Sequence, residues 1–482
     1  MTPPARRKLL LATFCVLVVL VARALLSACL IQRGFRALSD DDYSRVVIAQ
    51  LFAARPSLDP SQTSWLPFPF WLYGTVLAGF GNSLAVARAL GFIIGLLSAL
   101  LLWIAGRWLG LSRMASALGC LIAMSIPYSA WLGLATTPDV YSAALIVLAC
   151  ASLTRRRLVL RAIGAVAIVV ALLSRYEAWS VALIWALFTS RDALRLREPR
   201  LALLVAAVLT APLLWMLHGV RLHHDAFFFV KRVSSYQHAL GALNGRGPIR
   251  HAGALWRLIA DAPELWVLVI GITAAGLWHR VRFWHQRWTR TAVCLIGLLL
   301  FLCMGDWRGS TATHHGGRTL ISVWNMISLV GAAALVAVTK RLAPPSRALL
   351  LFGALGSVLV AAVLVRPHVG SSDKPQNRSE EVELGLLAAS NVPNGVRLAI
   401  DTPDYGYFAV QAAFARPLDT LVLTTHDPRE RSDKRLQSTS EARVALERLS
   451  TPWLVTSRTE QRLLPLAHVL YRGPSLMLVQ VR

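Results

Sequence analysis

The sequence predicts an all-α polytopic membrane bundle of about eleven spans, followed by a small soluble α/β domain. Three observations carry that expectation. Apolar runs recur from Lys8 to Val365, many of them near the roughly 17–25 residues that cross a bilayer as a helix. Only 16% of the 482 residues are charged, and the mean hydropathy is +0.53; a soluble domain carries about 25% charged residues. From about Arg366 onward the composition becomes that of an ordinary soluble domain. The expected division is therefore a membrane domain over residues 1–366 and a soluble domain over 367–482.

The spans are expected near residues 8–30, 88–108, 113–133, 138–153, 158–174, 176–190, 201–219, 263–279, 291–305, 319–339 and 347–366. Arg6-Arg7-Lys8 ahead of Leu9–Val21 has the look of a secretory leader. Arg23 interrupts that segment, so we read it as an uncleaved first helix. With the N-terminus inside, every inner loop is basic, from Arg107 and Arg113 to Lys340 and Arg341, as the positive-inside rule requires. The run 158–190 is split at Ser174-Arg175-Tyr176-Glu177, because charges at mid-bilayer are expensive. This topology puts the C-terminal domain on the non-cytoplasmic side. Arginine outnumbers lysine heavily, a coding bias of GC-rich bacterial genomes, which suggests a bacterial inner membrane.

The net charge of +25 does not point to nucleic acid. Residues 367–482 hold 14 Lys+Arg against 13 Asp+Glu. The excess lies in the membrane domain, where basic residues flank apolar spans as topology signals and lipid-phosphate contacts. All six cysteines sit in apolar runs without a CxxC pair, which suits small buried apolar residues.

The soluble domain opens with a polar linker, Gly370–Arg378. Strand-like and helix-like runs then alternate: Val396–Ile400, Tyr407–Phe414, Thr420–Leu423, Glu441–Leu449, Trp453–Thr456 and Met477–Val481. In the long first outer loop, Tyr43–Phe52 has apolar residues at helical spacing. Trp65–Gly74, aromatic and broken by prolines, suits an interfacial segment at head-group level.

Acidic residues carry the functional signal. Twelve precede the soluble domain, and ten of them fall on the outer side: Asp40, Asp41, Asp42, Asp59, Asp139, Glu177, Asp225, Asp261, Glu264 and Asp306. Orientation does not require this, since acids contribute little to topology. Asp40-Asp41-Asp42-Tyr43 follows the first span. It could be a solvated turn capping the next helix, or a carboxylate acting as general base towards an acceptor hydroxyl. Thr136-Thr137-Pro138-Asp139 and Arg175-Tyr176-Glu177 occupy the next outer turns, and His314-His315-Gly316-Gly317-Arg318 a later one. Pro138 and Asp139 also make a good helix start, and Arg175 and Glu177 could simply pair. His314 and His315 lack a convincing metal-ligand spacing. The outer loop from Arg221 to Glu264 adds Lys231 and Arg232; it is either a solvated loop or a cradle for an anionic head group. Acids near an acceptor and cations near a phosphate leaving group suit transfer from a phosphate-linked donor.

As an ordered set, these motifs resemble the GT-C membrane glycosyltransferases that use polyprenyl-phosphate sugars, in particular the protein mannosyltransferase and aminoarabinose transferase branch. Leu38–Tyr43 through Ile48-Ala49 resembles that family's acidic first loop, with Asp-Asp where Asp-Glu is usual. Trp65–Tyr73 resembles its Pro-aromatic segment, and Gly81-Asn82-Ser83 with Arg88 the entry to its second helix. Asp139 matches the acid of the second outer loop, Arg175-Tyr176-Glu177 the basic third turn, and Arg318 the late Arg-Tyr, with Thr319 replacing the tyrosine. The likeness covers residues 8–340 and leaves the C-terminal domain out.

The resemblance implies inverting transfer of one sugar from a polyprenyl-phosphate carrier to a protein or glycolipid acceptor on the outer side. Asp41 would be the base, chosen from Asp40, Asp41 and Asp42, with Asp139 assisting. Arg175, Arg318, Lys231 and Arg232 would bind the donor phosphate, and Tyr43 and Glu177 would lie beside them. Arginines alone could stabilise the leaving group, so a divalent metal is compatible but not required. The competing class is a transporter or flippase of lipid-linked sugars, which would place charges deep in the spans and show internal repeats. A diphosphate-dependent ligase and a non-enzymatic scaffold are further alternatives.

Overall fold

The computed structural model describes residues 3–239, 253–260, 286–308, 316–339, 377–402, 404–423, 451–458 and 467–481. Helices α1 (Pro3–Gln32), α4 (Leu84–Trp108), α5 (Arg113–Ser125), α7 (Asp139–Ser152), α8 (Leu158–Leu172), α9 (Glu177–Leu196), α10 (Pro199–His223), α13 (Gln286–Arg308) and α14 (Ile321–Thr339) form the membrane bundle. Among the described residues, five helical segments are long and apolar enough to cross a bilayer: Leu9–Gln32, Leu84–Trp108, Pro199–His223, Trp288–Trp307 and Gly317–Ala337. The expected total of eleven is not confirmed among these residues. The segments 263–279 and 347–366 lie outside the described residues. The expected span 113–133 breaks at Pro127 into α5 and α6 (Pro127–Leu132), because proline cannot continue the preceding turn. At about 1.5 Å per residue, α5, α7 and α8 reach only about two thirds of a hydrocarbon core. Burial inside the bundle makes them tenable, and α7 is covered along nearly its whole length.

The chain does break between α8 and α9, with Arg175 and Tyr176 in the connection. At the far end of the same two helices, Arg161 and Arg290 converge on Asp192, Arg290 at 2.5 and 2.7 Å. Arg23, mid-way along α1 and only 2% exposed, is accommodated by donating to the carbonyls of Ser129 and Ala130 at 3.2 and 3.0 Å. A Cβ at Gly133 would collide with its guanidinium.

The connection between α1 and α4 is mostly helical. The amphipathic stretch expected at 43–52 is α2 (Asp40–Ala54). It begins earlier because Asp42 accepts the amides of Leu38 and Ser39 at 2.9 and 3.3 Å, which caps the turn. The Pro-aromatic segment is helix α3 (Phe68–Phe80), with Pro69 in the first turn, where a missing N–H costs nothing. The loop between α2 and α3 is fastened to the bundle. Tyr176 Oη donates to Ser64 O at 2.8 Å, Trp215 Nε1 donates to Tyr176 Oη at 3.1 Å, and Phe68 N donates to Leu173 O at 3.1 Å. Helices α11 (Phe228–Ala239) and α12 (Gly253–Ala260) follow α10.

Among its described residues the C-terminal domain has five strands: β1 (Leu398–Asp401), β2 (Thr420–Val422), β3 (Trp453–Ser457), β4 (Ala467–Arg472) and β5 (Leu476–Val481). They form a mixed sheet in the order β2-β1-β3-β5-β4, parallel across β2-β1-β3 and antiparallel across β3-β5-β4. Helices α15 (Ser379–Asn391) and α16 (Tyr407–Phe414) share a core with one face of it. The stretch 441–449 lies outside the described residues.

This domain docks on α2 and the chain that follows α3. Ala409, Ala412 and Ala413 of α16 pack with Ala37, Tyr43, Val46 and Ala49. Gln50 Nε2 donates to Ala412 O at 2.9 Å, and Asn82 Nδ2 to Ala415 O at 3.0 Å.

Candidate active site

The site is built from four chain turns. Asp41 stands in the first turn of α2, Asp139 opens α7, Arg175 and Glu177 flank the start of α9, and Arg318 lies in a 3₁₀ turn, Gly316–Leu320, ahead of α14. Asp139, 3% exposed, is the hub. Arg318 grips it with two contacts, Nη2 to Oδ2 at 3.0 Å and Nε to Oδ1 at 3.3 Å. Arg175 Nη1 reaches Oδ1 at 2.6 Å, and its Nε reaches Glu177 Oε1 at 2.6 Å. The remaining arm of Arg318, Nη1, contacts Asp41 Oδ2 at 3.1 Å.

The three adjacent aspartates have three different environments. Asp42 is sealed in: Oδ2 takes the Leu38 and Ser39 amides, and Oδ1 takes the Thr136 amide at 3.0 Å. Burial pushes its carboxyl above the ordinary value, while Arg318 and those amides oppose the rise. Asp40 is taken up by Arg378 of the C-terminal domain, at 2.9 and 3.0 Å. Asp41 alone keeps a solvent-facing carboxylate, with its side chain 42% exposed. Its Oδ1 takes no described hydrogen bond.

The other expected residues are placed differently. Tyr43 is buried in the seam between α2 and the C-terminal domain, and its hydroxyl meets Arg88 Nη2 at 3.4 Å. Burial raises its pKa to about 12, with Arg88 pulling the other way. The side chain of Lys231, on α11, is 78% exposed and pairs with Asp225 at 2.7 Å rather than with this cluster. Arg232 follows it on the same helix. His314 and His315 lie outside the described residues. Among the described residues, no group of His, Cys and carboxylates is arranged to hold a metal ion.

One site residue escaped the sequence reading. Arg45, one turn after Asp41 on α2, is 8% exposed. Its guanidinium lies 4.4 Å from the Trp65 ring centroid and 5.6 Å from that of Phe70, stacked rather than ion-paired. Its Nε is buried without a partner. Asp41, Arg318, Asp139 and Arg175 are the charges that act on it. A buried charge with unspent donors is costly, unless something supplies the missing acceptor. The signal was present as an arginine on the apolar side of an amphipathic stretch, followed by an aromatic cluster.

No family model matches the sequence, and no curated relative is detected by sequence comparison. Solved structures do match. ArnT from Cupriavidus metallidurans in the apo state superposes with a TM-score of 0.60 at 16% identity, over 99% of this chain and 98% of that one. The same protein bound to undecaprenyl phosphate gives 0.58 at 17% identity, over 98% and 97%. The archaeal oligosaccharyltransferase AglB from Archaeoglobus fulgidus, in complex with an inhibitory peptide and a dolichol-phosphate, gives 0.51 at 14% identity, over 93% of this chain and 70% of that one. The match to ArnT extends over both domains, so the likeness expected only for residues 8–340 includes the C-terminal domain as well. The chain has the GT-C fold of ArnT and AglB.

Proposed function

We propose that this protein is a membrane glycosyltransferase that moves a sugar from a polyprenyl-phosphate donor to an acceptor on the non-cytoplasmic face. The observation that supports it most is Arg45, a buried guanidinium with unspent donors beside Asp41 and Arg318. An anionic phosphate placed there would supply the acceptors that Arg45 lacks. It would also find the Nη1 edge of Arg318, which among the described residues meets Asp41. The structures of similar fold add support, since one holds undecaprenyl phosphate and another a dolichol-phosphate.

The division of labour follows from which oxygens are free. Asp139 has both oxygens committed to arginines and Asp42 has both committed to donors of the chain. Neither is placed to take a proton. Asp41 has a free oxygen and an exposed face, so it is the base. The acceptor hydroxyl gives its proton to Asp41 and its oxygen attacks the anomeric carbon. The bond from that carbon to the phosphate oxygen breaks, and the phosphate leaves with one more negative charge. Attack opposite the leaving group inverts the anomeric centre. Arg45 and Arg318 stabilise the charge that develops on the phosphate, which is where such preorganised donors act most strongly. Arg175 and Asp139 hold Arg318 in place. No metal is needed for this division, although the leaving group would also accept one.

The test is transfer by the purified, reconstituted protein from radiolabelled polyprenyl-phosphate sugars, with the anomeric configuration of the product determined. Labelled product of inverted configuration is expected. Movement of intact lipid-linked sugar between leaflets without release of polyprenyl phosphate would favour the flippase reading instead.

A further inference from the structure

Asp40 sits in the same helical turn as Asp41 but faces away from the arginine cluster. Its two oxygens meet Arg378 Nε and Nη2 at 2.9 and 3.0 Å, a two-pronged contact. The third nitrogen, Nη1, is spent within the C-terminal domain, on Glu381 Oε1 at 2.9 Å and on both oxygens of Asp404 at 2.9 and 3.1 Å. Arg378 therefore joins the first residue of α2 to the first turn of α15 and to the turn that leads into α16. A planar guanidinium fixes direction in such a fork, which a point charge does not.

The opposite side of that helical turn is fixed independently. Asp42 anchors it into the bundle through the Thr136 amide, and Thr136 Oγ1 returns a hydrogen bond to Asp42 O at 2.7 Å. The turn is thus held from two sides, by Asp42 towards the membrane and by Asp40 towards the C-terminal domain. Asp41, between them, reaches Arg318. The alanine face of α16 and the Gln50 contact hold the rest of α2. Among the described residues, Arg378 is the charged contact by which the C-terminal domain reaches the turn bearing Asp41.

We propose that Arg378 is a positioning residue, through which the C-terminal domain sets the orientation of Asp41 and so belongs to the catalytic unit. This rests on the reading of Asp41 as the base. Releasing Asp40 would let the first turn of α2 fray. A displacement of about 1 Å at a reacting group can cost on the order of 100-fold in rate.

The experiment uses the full-length protein in nanodiscs, in wild-type, Arg378→Gln, Arg378→Lys and Asp40→Asn forms. Steady-state transfer from a labelled polyprenyl-phosphate sugar is measured together with hydrogen exchange over residues 40–46. Arg378→Gln is expected to lower kcat about 10- to 100-fold with the donor KM little changed, and to speed exchange at α2 but not at α7. Lysine, keeping the charge without the fork, should restore part of the rate. Asp40→Asn leaves the ties of Arg378 inside its own domain intact, so it carries the test if Arg378→Gln does not fold. An unchanged kcat in these variants would overturn the positioning role, as would a fall in which global unfolding replaces local exchange. If the wild type transfers no sugar, the glycosyltransferase reading fails by itself. The coupling is then judged by exchange alone: faster exchange at α2 upholds it, and unchanged exchange overturns it.

Discussion

Arg318 holds Asp139 with two nitrogens, at 3.0 and 3.3 Å, and keeps its third for Asp41 at 3.1 Å. The pair is almost wholly dry, with side-chain exposures of 3% and 0%. A buried ion pair adds little net stability when whole, but breaking it leaves an uncompensated charge. Arg318→Ala should therefore destabilise the protein by about 3–5 kcal/mol. Asp139→Asn should also destabilise, because it removes the buried charge shared by Arg175 and Arg318 and leaves them, among the described residues, only Glu177 and Asp41. Chemical denaturation in a mild detergent reads this, and an unchanged midpoint would show that the pair is not structural.

Arg45 should behave in the opposite way. Its charge is buried without a hydrogen-bonding partner, so Arg45→Met removes a desolvation cost and keeps the contact with Trp65 and Phe70. Stability should hold or rise. Binding of polyprenyl phosphate should weaken about 10- to 100-fold, the worth of a hydrogen bond to a charged group. Fluorescence titration with a short-chain polyprenyl phosphate measures it. A variant that binds normally but unfolds early would make Arg45 a structural residue.

The cap at the start of α2 makes a third case. Asp42→Ala leaves the amides of Leu38, Ser39 and Thr136 without their acceptor. The loss should be about 2–3 kcal/mol, from a cap and from buried donors left unpaired. Asp42→Asn keeps one accepting oxygen and should lose less. Equal losses in the two variants would count against the hydrogen-bonding role.

How far the sequence reveals this arrangement depends on the kind of contact. Asp41, Asp139, Arg175 and Arg318 could be picked out because each is a charge at a turn between apolar runs, and bilayer physics forces such charges to the ends of the bundle. The helix start beside Pro138 followed from the same runs, whereas the one beside Ser83 lay a few residues ahead of the expected span and was marked only by the family resemblance. Arg45 was hidden because its partners, Trp65 and Phe70, lie in another segment, and an amphipathic pattern does not tell a stacked arginine from a solvated one. Arg378 was hidden in a polar linker, since its importance comes from Asp40, 338 positions away in the chain. Helix α15 starts directly after that linker and carries glutamates that masked its apolar face. Strand β4 was missed because His468, Tyr471 and Arg472 break the apolar run that marked β5.

Glu381 provides a pH test of the surroundings of Arg378 within the C-terminal domain. Burial raises its carboxyl pKa above the ordinary 4.5, Arg378 opposes the rise, and Asp404 adds to it. The folded protein thus holds this proton more tightly than the unfolded chain does. The resulting stabilisation is present below pH 4.5 and is lost as pH rises through the elevated value. Glu381→Gln should remove the dependence. The wild-type melting temperature minus that of Glu381→Gln should fall as pH rises from 4.5 and then level off. A difference that stays flat with pH would contradict the shift.

Asp41 carries the central claim, and single-turnover transfer by Asp41→Asn tests it most directly. The asparagine keeps the shape and a contact for Arg318 but cannot accept the acceptor's proton. Loss of a general base typically costs about 100- to 10,000-fold. The expected result is a rate of sugar transfer reduced by that order, with polyprenyl-phosphate binding and thermal stability preserved. Transfer by Asp41→Asn at the wild-type rate would contradict the assignment of Asp41 as the base.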